Sequence, residues 1–256
     1  MKCERYAVWW VPQQDSRLAR FGAEWTGWCP ERGSRDPVSE LSRFADTHAN
    51  LPAALRLRGL HAPIGPAFRL AEDRSPWALE RALAECAARM APIALSPLRL
   101  ELNDNRVRLA FEPAQAALTE LVADVTEALC PLHMTSPFHG TASADMLVNS
   151  GMARRDDASA GESAMPPCLW LSGSSSAAAE IMARLAPILA PILDEPAMLS
   201  DLALICDPGG NRPWRVLERF ELQGSPGAGQ RPIPSGMDCF GPRLFTPLGA
   251  MARAAA

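Results

Sequence analysis

The chain has a single lysine. Lys2 stands alone among 25 Lys and Arg residues, so the positive charge is almost wholly arginine. Those arginines are scattered instead of forming a basic stripe interleaved with aromatics, which argues against binding to duplex or long single-stranded nucleic acid. No apolar stretch reaches the roughly 20 residues that a bilayer-spanning helix needs, so no membrane association is expected. Met1-Lys2-Cys3-Glu4-Arg5 runs straight into Tyr6-Ala7-Val8-Trp9-Trp10, with no basic start, apolar core and small-residue cleavage site, and a cytoplasmic protein is expected. The seven cysteines are odd in number and never form Cys-x-x-Cys, which points to reduced thiols and away from a disulfide framework or a zinc knuckle. No His, Cys and carboxylate cluster has metal-ligand spacing, and Gly224 to Gly229 lacks the Lys and following helix of a phosphate loop. Neither a metal nor a cofactor is expected.

What is present is an ordinary globular composition: 256 residues, 48% apolar, 21% charged and a net charge of −4. That length accommodates one large domain or two small lobes. Asp15 and Ser16 precede apolar residues at Leu18, Phe21, Trp25 and Trp28, the pattern of a capped helix. Residues 29–54 read mainly as loop, with a turn of helix near Leu41 to Phe44, and a short apolar segment from Leu57 to Ile64 holds His61. Ser75-Pro76 then opens a helix with Leu79, Leu83, Cys86 and Met90 on one face. Leu98, Leu100 and Leu102 alternate with polar residues, Asn103-Asp104-Asn105 supplies a turn, and Val107, Leu109 and Phe111 alternate again as a hairpin.

The same order recurs further on. Cys168 to Leu171 leads to a helix from about Ala177 to Leu193, bent by Pro187 and Pro191. Leu202, Leu204 and Cys206, a turn at Asp207 to Asn211, and Trp214, Val216, Leu217 and Phe220 form a second hairpin. A strand–helix–hairpin unit therefore appears twice, over about 59–111 and 167–222, with His61 and Cys168 in the same place in each copy. This predicts an α+β fold of two lobes over residues 1–223, each an antiparallel sheet with outer helices, related by an approximate two-fold axis. Between the units lie a helix from Ala114 to Leu129 and a polar stretch, 131–166. Residues 224–256 form a Gly/Pro-rich tail that is not expected to hold a core of its own.

Arg5-Tyr6-Ala7-Val8-Trp9-Trp10-Val11-Pro12, with Asp15-Ser16 and Arg20-Phe21-Gly22-Ala23-Glu24-Trp25, is similar to the opening of the phosphonate-operon-associated proteins of the two-histidine phosphoesterase superfamily. Leu60-His61-Ala62-Pro63-Ile64-Gly65-Pro66-Ala67-Phe68-Arg69-Leu70 resembles their first signature, and Leu169 to Gly173 with Trp214 to Phe220 resembles their C-terminal pattern. The resemblance implies a central groove between two related lobes, where paired His-x-Thr/Ser motifs cleave a phosphodiester by general base and general acid while hydroxyls hold the phosphate oxygens. Here His61 is kept, but Pro63 stands at the first hydroxyl position, Cys168 at the second histidine and Trp170 at the second hydroxyl. Pro has neither hydroxyl nor N–H, and Trp fills space that a phosphate would use. Ordinary phosphodiester hydrolysis is therefore not expected.

Three readings stay open. One is a repurposed enzyme acting on a small metabolite, with His61 and Cys168 as a thiol–imidazole pair. Another is a non-catalytic ligand- or partner-binding scaffold. The third is residual phosphodiesterase activity through His61 and His133, the latter part of a literal His133-Met134-Thr135. Trp170, Arg154, Arg155 and His133 are the candidate ligand-binding residues, Arg154-Arg155 standing where the family carries a similar Arg pair. The expected partner is a small-molecule ligand or substrate.

Overall fold

The structure, a computed structural model, describes residues 2–34, 51–95, 97–111, 114–133 and 167–225. The expected turn of helix near Leu41 and nearly all of 131–166 and of the tail lie outside these residues.

Strand β1 (Arg5–Trp10) is buried on both faces. Tyr6, Val8 and Trp10 point into the large core, whereas Ala7 and Trp9 point into a smaller cluster with Val11, Ala203, Ile205 and Trp214. Helix α1 (Arg17–Thr26) is capped as its sequence predicts: Ser16 Oγ accepts from the Ala19 N–H at 3.0 Å. It stops at Gly27, whose φ of 72° is the left-handed ending that leaves Trp28 outside the helix. Helix α2 (Ala53–Arg58) occupies the segment expected to be loop or apolar strand. It is six residues long and has no side-chain cap, so it carries little local signature. Then come β2 (Ala62–Pro63) and α3 (Pro76–Ala87), the latter capped by Ser75 with Pro76 in its first turn. Next are β3 (Ile93–Ala94), β4 (Arg99–Asn103) and β5 (Arg106–Ala110). Asp104 and Asn105 carry φ of 47° and 58° in the β4–β5 turn, as a two-residue hairpin loop requires.

Helix α4 (Gln115–Leu129) leads into a short 3₁₀ turn, Cys130–Leu132. After the undescribed stretch come β6 (Leu169–Trp170), α5 (Ala178–Leu193), β7 (Met198–Leu199), β8 (Asp201–Asp207) and β9 (Arg215–Glu221). A bulge lets Leu204 and Ile205 face Glu218 and Val216, which leaves Leu217 as the extra residue, turned to solvent.

The fold is α+β, and the paired strands of its sheets run antiparallel. The order strand, helix, short strand, hairpin occurs twice: β2–α3–β3–β4–β5 and β6–α5–β7–β8–β9. The sheets cut across that duplication. A four-stranded sheet runs β2-β1-β8-β9, and a three-stranded sheet runs β4-β5-β6. The first strand of each unit therefore joins the hairpin of the other. The helices follow: α3 packs against β8 and β9, and α5 against β4 and β5. The short strands β3 and β7, equivalent in the two units, pair with each other across the middle.

The expectation of reduced thiols is corrected here. Cys3 and Cys206 form a disulfide across a sequence separation of 203 residues, and Cys130 is disulfide-bonded as well. The cause of the first is the β1–β8 ladder, which sets Tyr6 opposite Cys206 and brings the Cys3 and Cys206 Cα atoms to 5.4 Å, within the normal bridging range. Cys29, Cys86 and Cys168 are buried thiols that take no part in a disulfide.

Candidate functional site

His61 sits immediately before β2, at the edge of the four-stranded sheet. The register sets Trp9 opposite Pro63 and Trp10 opposite Ala62. Alternation along the strand then puts His61 on the Trp9 face, and its ring lies over the Trp9 indole with centroids 3.7 Å apart and planes 25° from parallel. Only 7% of the residue is exposed.

The ring is also tied from behind. Its Nδ1 lies 2.9 Å from the Gly59 carbonyl oxygen. A carbonyl can only accept, so Nδ1 carries the proton and Nε2 the lone pair. Gly59 is required there by backbone shape. It ends α2 at φ 72°, and a Cβ on it would meet Pro30 Cδ at 2.7 Å and the Trp28 carbonyl oxygen at 2.9 Å. The His61 pKa is lowered to about 3: burial lowers it most, the Gly59 hydrogen bond partly opposes that, and the nearby Arg58 charge adds to the lowering.

Behind Trp9 the stack continues. Trp214 lies parallel to it at 5.1 Å and 9°. Two backbone bonds hold Trp214: its N–H donates to the Leu57 carbonyl at 2.8 Å, and its own carbonyl accepts from Trp28 Nε1 at 2.8 Å. The Arg58 and Arg5 guanidiniums lie 4.7 Å and 5.3 Å from the Trp214 ring. Arg58 is buried, at 5% exposure, and Arg5 donates to Asp207 at 2.7 Å. Farther along, Arg219 donates to Glu31 at 2.9 Å, to Asp201 at 2.6 Å and to the Val11 carbonyl at 3.2 Å, pinning the Glu31 loop to the sheet.

The other predicted residues lie elsewhere. Cys168 immediately precedes β6 as His61 precedes β2, but it packs at 3% exposure in the large core, whereas the Trp9 and Trp214 rings beside His61 belong to the separate small cluster. Trp170 is 4% exposed, and the Arg106 guanidinium covers it at 3.7 Å, so its indole packs inside and is not open to a ligand. His133 stacks on Phe68 at 4.0 Å and shares a small recess with Val8, Val125 and Leu129. Val8 and Trp9 are successive residues of one strand and face opposite ways, so His133 and His61 lie on opposite sides of the four-stranded sheet. That geometry removes the pairing on which the residual-phosphodiesterase reading depends. Arg154 and Arg155 lie outside the described residues. Among the described residues no group of three His, Cys, Asp or Glu side chains could hold a metal ion, and no helix is long and apolar enough to cross a membrane.

Residues 60–144 match the family described as "Protein of unknown function (DUF1045)". No curated protein matches the chain. Among solved structures, the chain is similar to E. coli LigT complexed with NADP+, at 10% identity, covering 87% of this chain and 99% of that one, with a TM-score of 0.41. A crystal structure described as a phosphoesterase is similar at 16% identity, with 86% and 99% coverage and a TM-score of 0.39. Kluyveromyces marxianus Usb1 is similar at 11% identity, with 86% and 98% coverage and a TM-score of 0.32.

Sequence reasoning missed Arg58, Arg5 and Gly59 as parts of this face. One signal was present: Leu57-Arg58-Gly59-Leu60 places a charge inside an otherwise apolar run, just before the histidine. Trp9 and Trp214 read as core, and they are buried, yet they also form the wall against which His61 and the two guanidiniums are placed.

Proposed function

We propose that the chain is a divergent protein of the two-histidine phosphoesterase type that has given up the paired-imidazole mechanism and binds a small anionic metabolite on its His61 face. The duplicated element order and the signature-like segments around His61 and Trp214 support the kinship. One observation carries the shift from catalysis to binding: His61 is buried between Trp9 and the Gly59 carbonyl, with its pKa lowered to about 3. A general base or acid works best with a pKa near the operating pH, so a histidine whose pKa is held near 3 is a weak base and has no proton on Nε2 to give as an acid at neutral pH. The Arg58 and Arg5 guanidiniums stand at the Trp214 end of this face.

The test uses the purified full-length protein. Against 2′,3′-cyclic nucleotides and a linear phosphodiester it should show no turnover above buffer. Calorimetry with small phosphate monoesters should show saturable binding that His61→Phe weakens. Turnover abolished by His61→Ala would overturn the reading.

A further inference from the structure

The two larger sheets end in unlike strands. At the edge of the four-stranded sheet, β9 is blunted: a bulge turns Leu217 out of the ladder, Glu218, Arg219 and Glu221 line it with charge, and its Val216 N–H donates to the Pro30 carbonyl at 3.0 Å. At the opposite edges, β2 and β6 are two residues long. β4 differs from all three: it runs for five residues with no bulge or proline and leaves Leu102 exposed. We propose that β4 pairs with the β4 strand of a second copy of this chain, antiparallel about a two-fold axis at Leu100, so that two three-stranded sheets join into one of six strands.

The backbone decides which groups are on offer. In a hairpin with a two-residue loop the turn bond closes Asn103 and Arg106 to each other, and bonding alternates from there, so Asn103, Glu101 and Arg99 spend their N–H and C=O on β5. Val107, opposite Leu102, agrees with that count. Its N–H donates to Ser172 Oγ at 2.9 Å and its carbonyl accepts from the Leu171 N–H at 2.8 Å, both on the β6 side. Leu100 and Leu102 therefore aim their N–H and C=O away from β5. β4 ends its sheet, so among the described residues no strand takes them up.

The side chains then choose the register. An axis at Glu101 would set two carboxylates against each other, which is unfavourable. An axis at Leu100 sets Leu100 against Leu100, Leu102 against Leu98 and, in the closer positions without ladder bonds, Arg99 against Glu101 on both sides of the axis. Glu101 holds Arg108 through Oε2 at 3.1 Å, and its Oε1 can accept from the second copy's Arg99 without giving that bond up.

The test uses the full-length protein. Sedimentation velocity should show a monomer–dimer equilibrium between micromolar and sub-millimolar concentration, and a monomer throughout would overturn the proposal. Arg99→Glu makes both charged contacts acidic and should weaken the dimer roughly 10-fold, two like-charge pairs replacing two opposite ones. Glu101→Arg makes them basic. Mixed in equal amounts, the two variants restore opposite charges at both contacts and should associate with each other more tightly than either does with itself. Leu102→Lys, at an exposed position outside the Arg108 pair, should dissociate the dimer while circular dichroism shows the native fold, and it decides the matter if Glu101→Arg does not fold. A dimer that Arg99→Glu and Leu102→Lys leave at full strength, or folded charge variants with no preference for each other, would overturn pairing through β4.

Discussion

His61 and Cys168 stand at equivalent points of the duplicated unit, one residue before β2 and one residue before β6, and their surroundings could hardly differ more. His61 is a polar ring on a wall of tryptophan and arginine, with its Nδ1 committed to the Gly59 carbonyl. Cys168 is a small thiol inside the main core, next to Leu169 and a Trp170 indole sealed by Arg106. Of these two equivalent places, one presents a polar group in a shaped environment, and the other has been absorbed into packing. Duplicated architecture conserves position, and chemistry is decided separately at each copy by what the neighbouring strand presents.

The contrast is broken most severely by removing the wall. Trp9→Ala takes away a buried indole that holds both the His61 ring and Trp214, and it should cost about 3–5 kcal/mol of stability in denaturant unfolding. A cost near that of an exposed substitution would mean that the stack does not support this face. Reduction of the Cys3–Cys206 bridge should come next, at about 2–4 kcal/mol, because it ties the start of β1 to the end of β8 and closes most of the chain into a loop. Thermal unfolding of Cys3→Ser against the parent protein reads it, since a reductant would also open the Cys130 bridge, and an unchanged midpoint would show that the β1–β8 ladder alone suffices.

Acid should separate the two places further. The His61 pKa is about 3 when folded and near 6.5 when unfolded, so below pH 6.5 the unfolded chain binds a proton that the folded chain refuses. Stability from this residue is therefore complete above about pH 6.5 and falls as pH drops from there toward 3, at about 1.4 kcal/mol per pH unit. His133, lowered by burial to about 4, adds loss in the same direction. His61→Phe should flatten the slope, while Cys168→Ala should leave it unchanged and cost about 1 kcal/mol or less for one small buried atom. The thiol itself should also be quiet: native Cys168 should label with iodoacetamide far more slowly than after denaturation, at a rate that His61→Phe does not alter. Rapid labelling slowed by that variant would restore the thiol–imidazole pair.

Much of the fold was legible in the residues. Ser16 and Ser75 cap the helices they precede, Asp104 and Asn105 turn the first hairpin, and the second hairpin falls where its alternation places it. The exchange of strands between units was not legible, because β2 and β6 are two residues long and their partners lie far away in the chain. The Cys3–Cys206 bridge was hidden for the same reason: cysteine spacing says nothing about a contact made by a long-range ladder. Of the site, the sequence marked His61 itself. What makes His61 unusual comes from Trp9, Trp214 and a six-residue helix with no cap, which meet it only in three dimensions.

The central claim is that His61 stays neutral as a fixed acceptor in a buried, arginine-flanked setting. It is tested most directly by following the His61 ring resonances by NMR from pH 8 to pH 4, assigned with His61→Phe. The account predicts no titration over that whole range, consistent with a pKa of about 3. A full protonation step centred near 6.5 would contradict it and return His61 to the role of a proton-transferring residue.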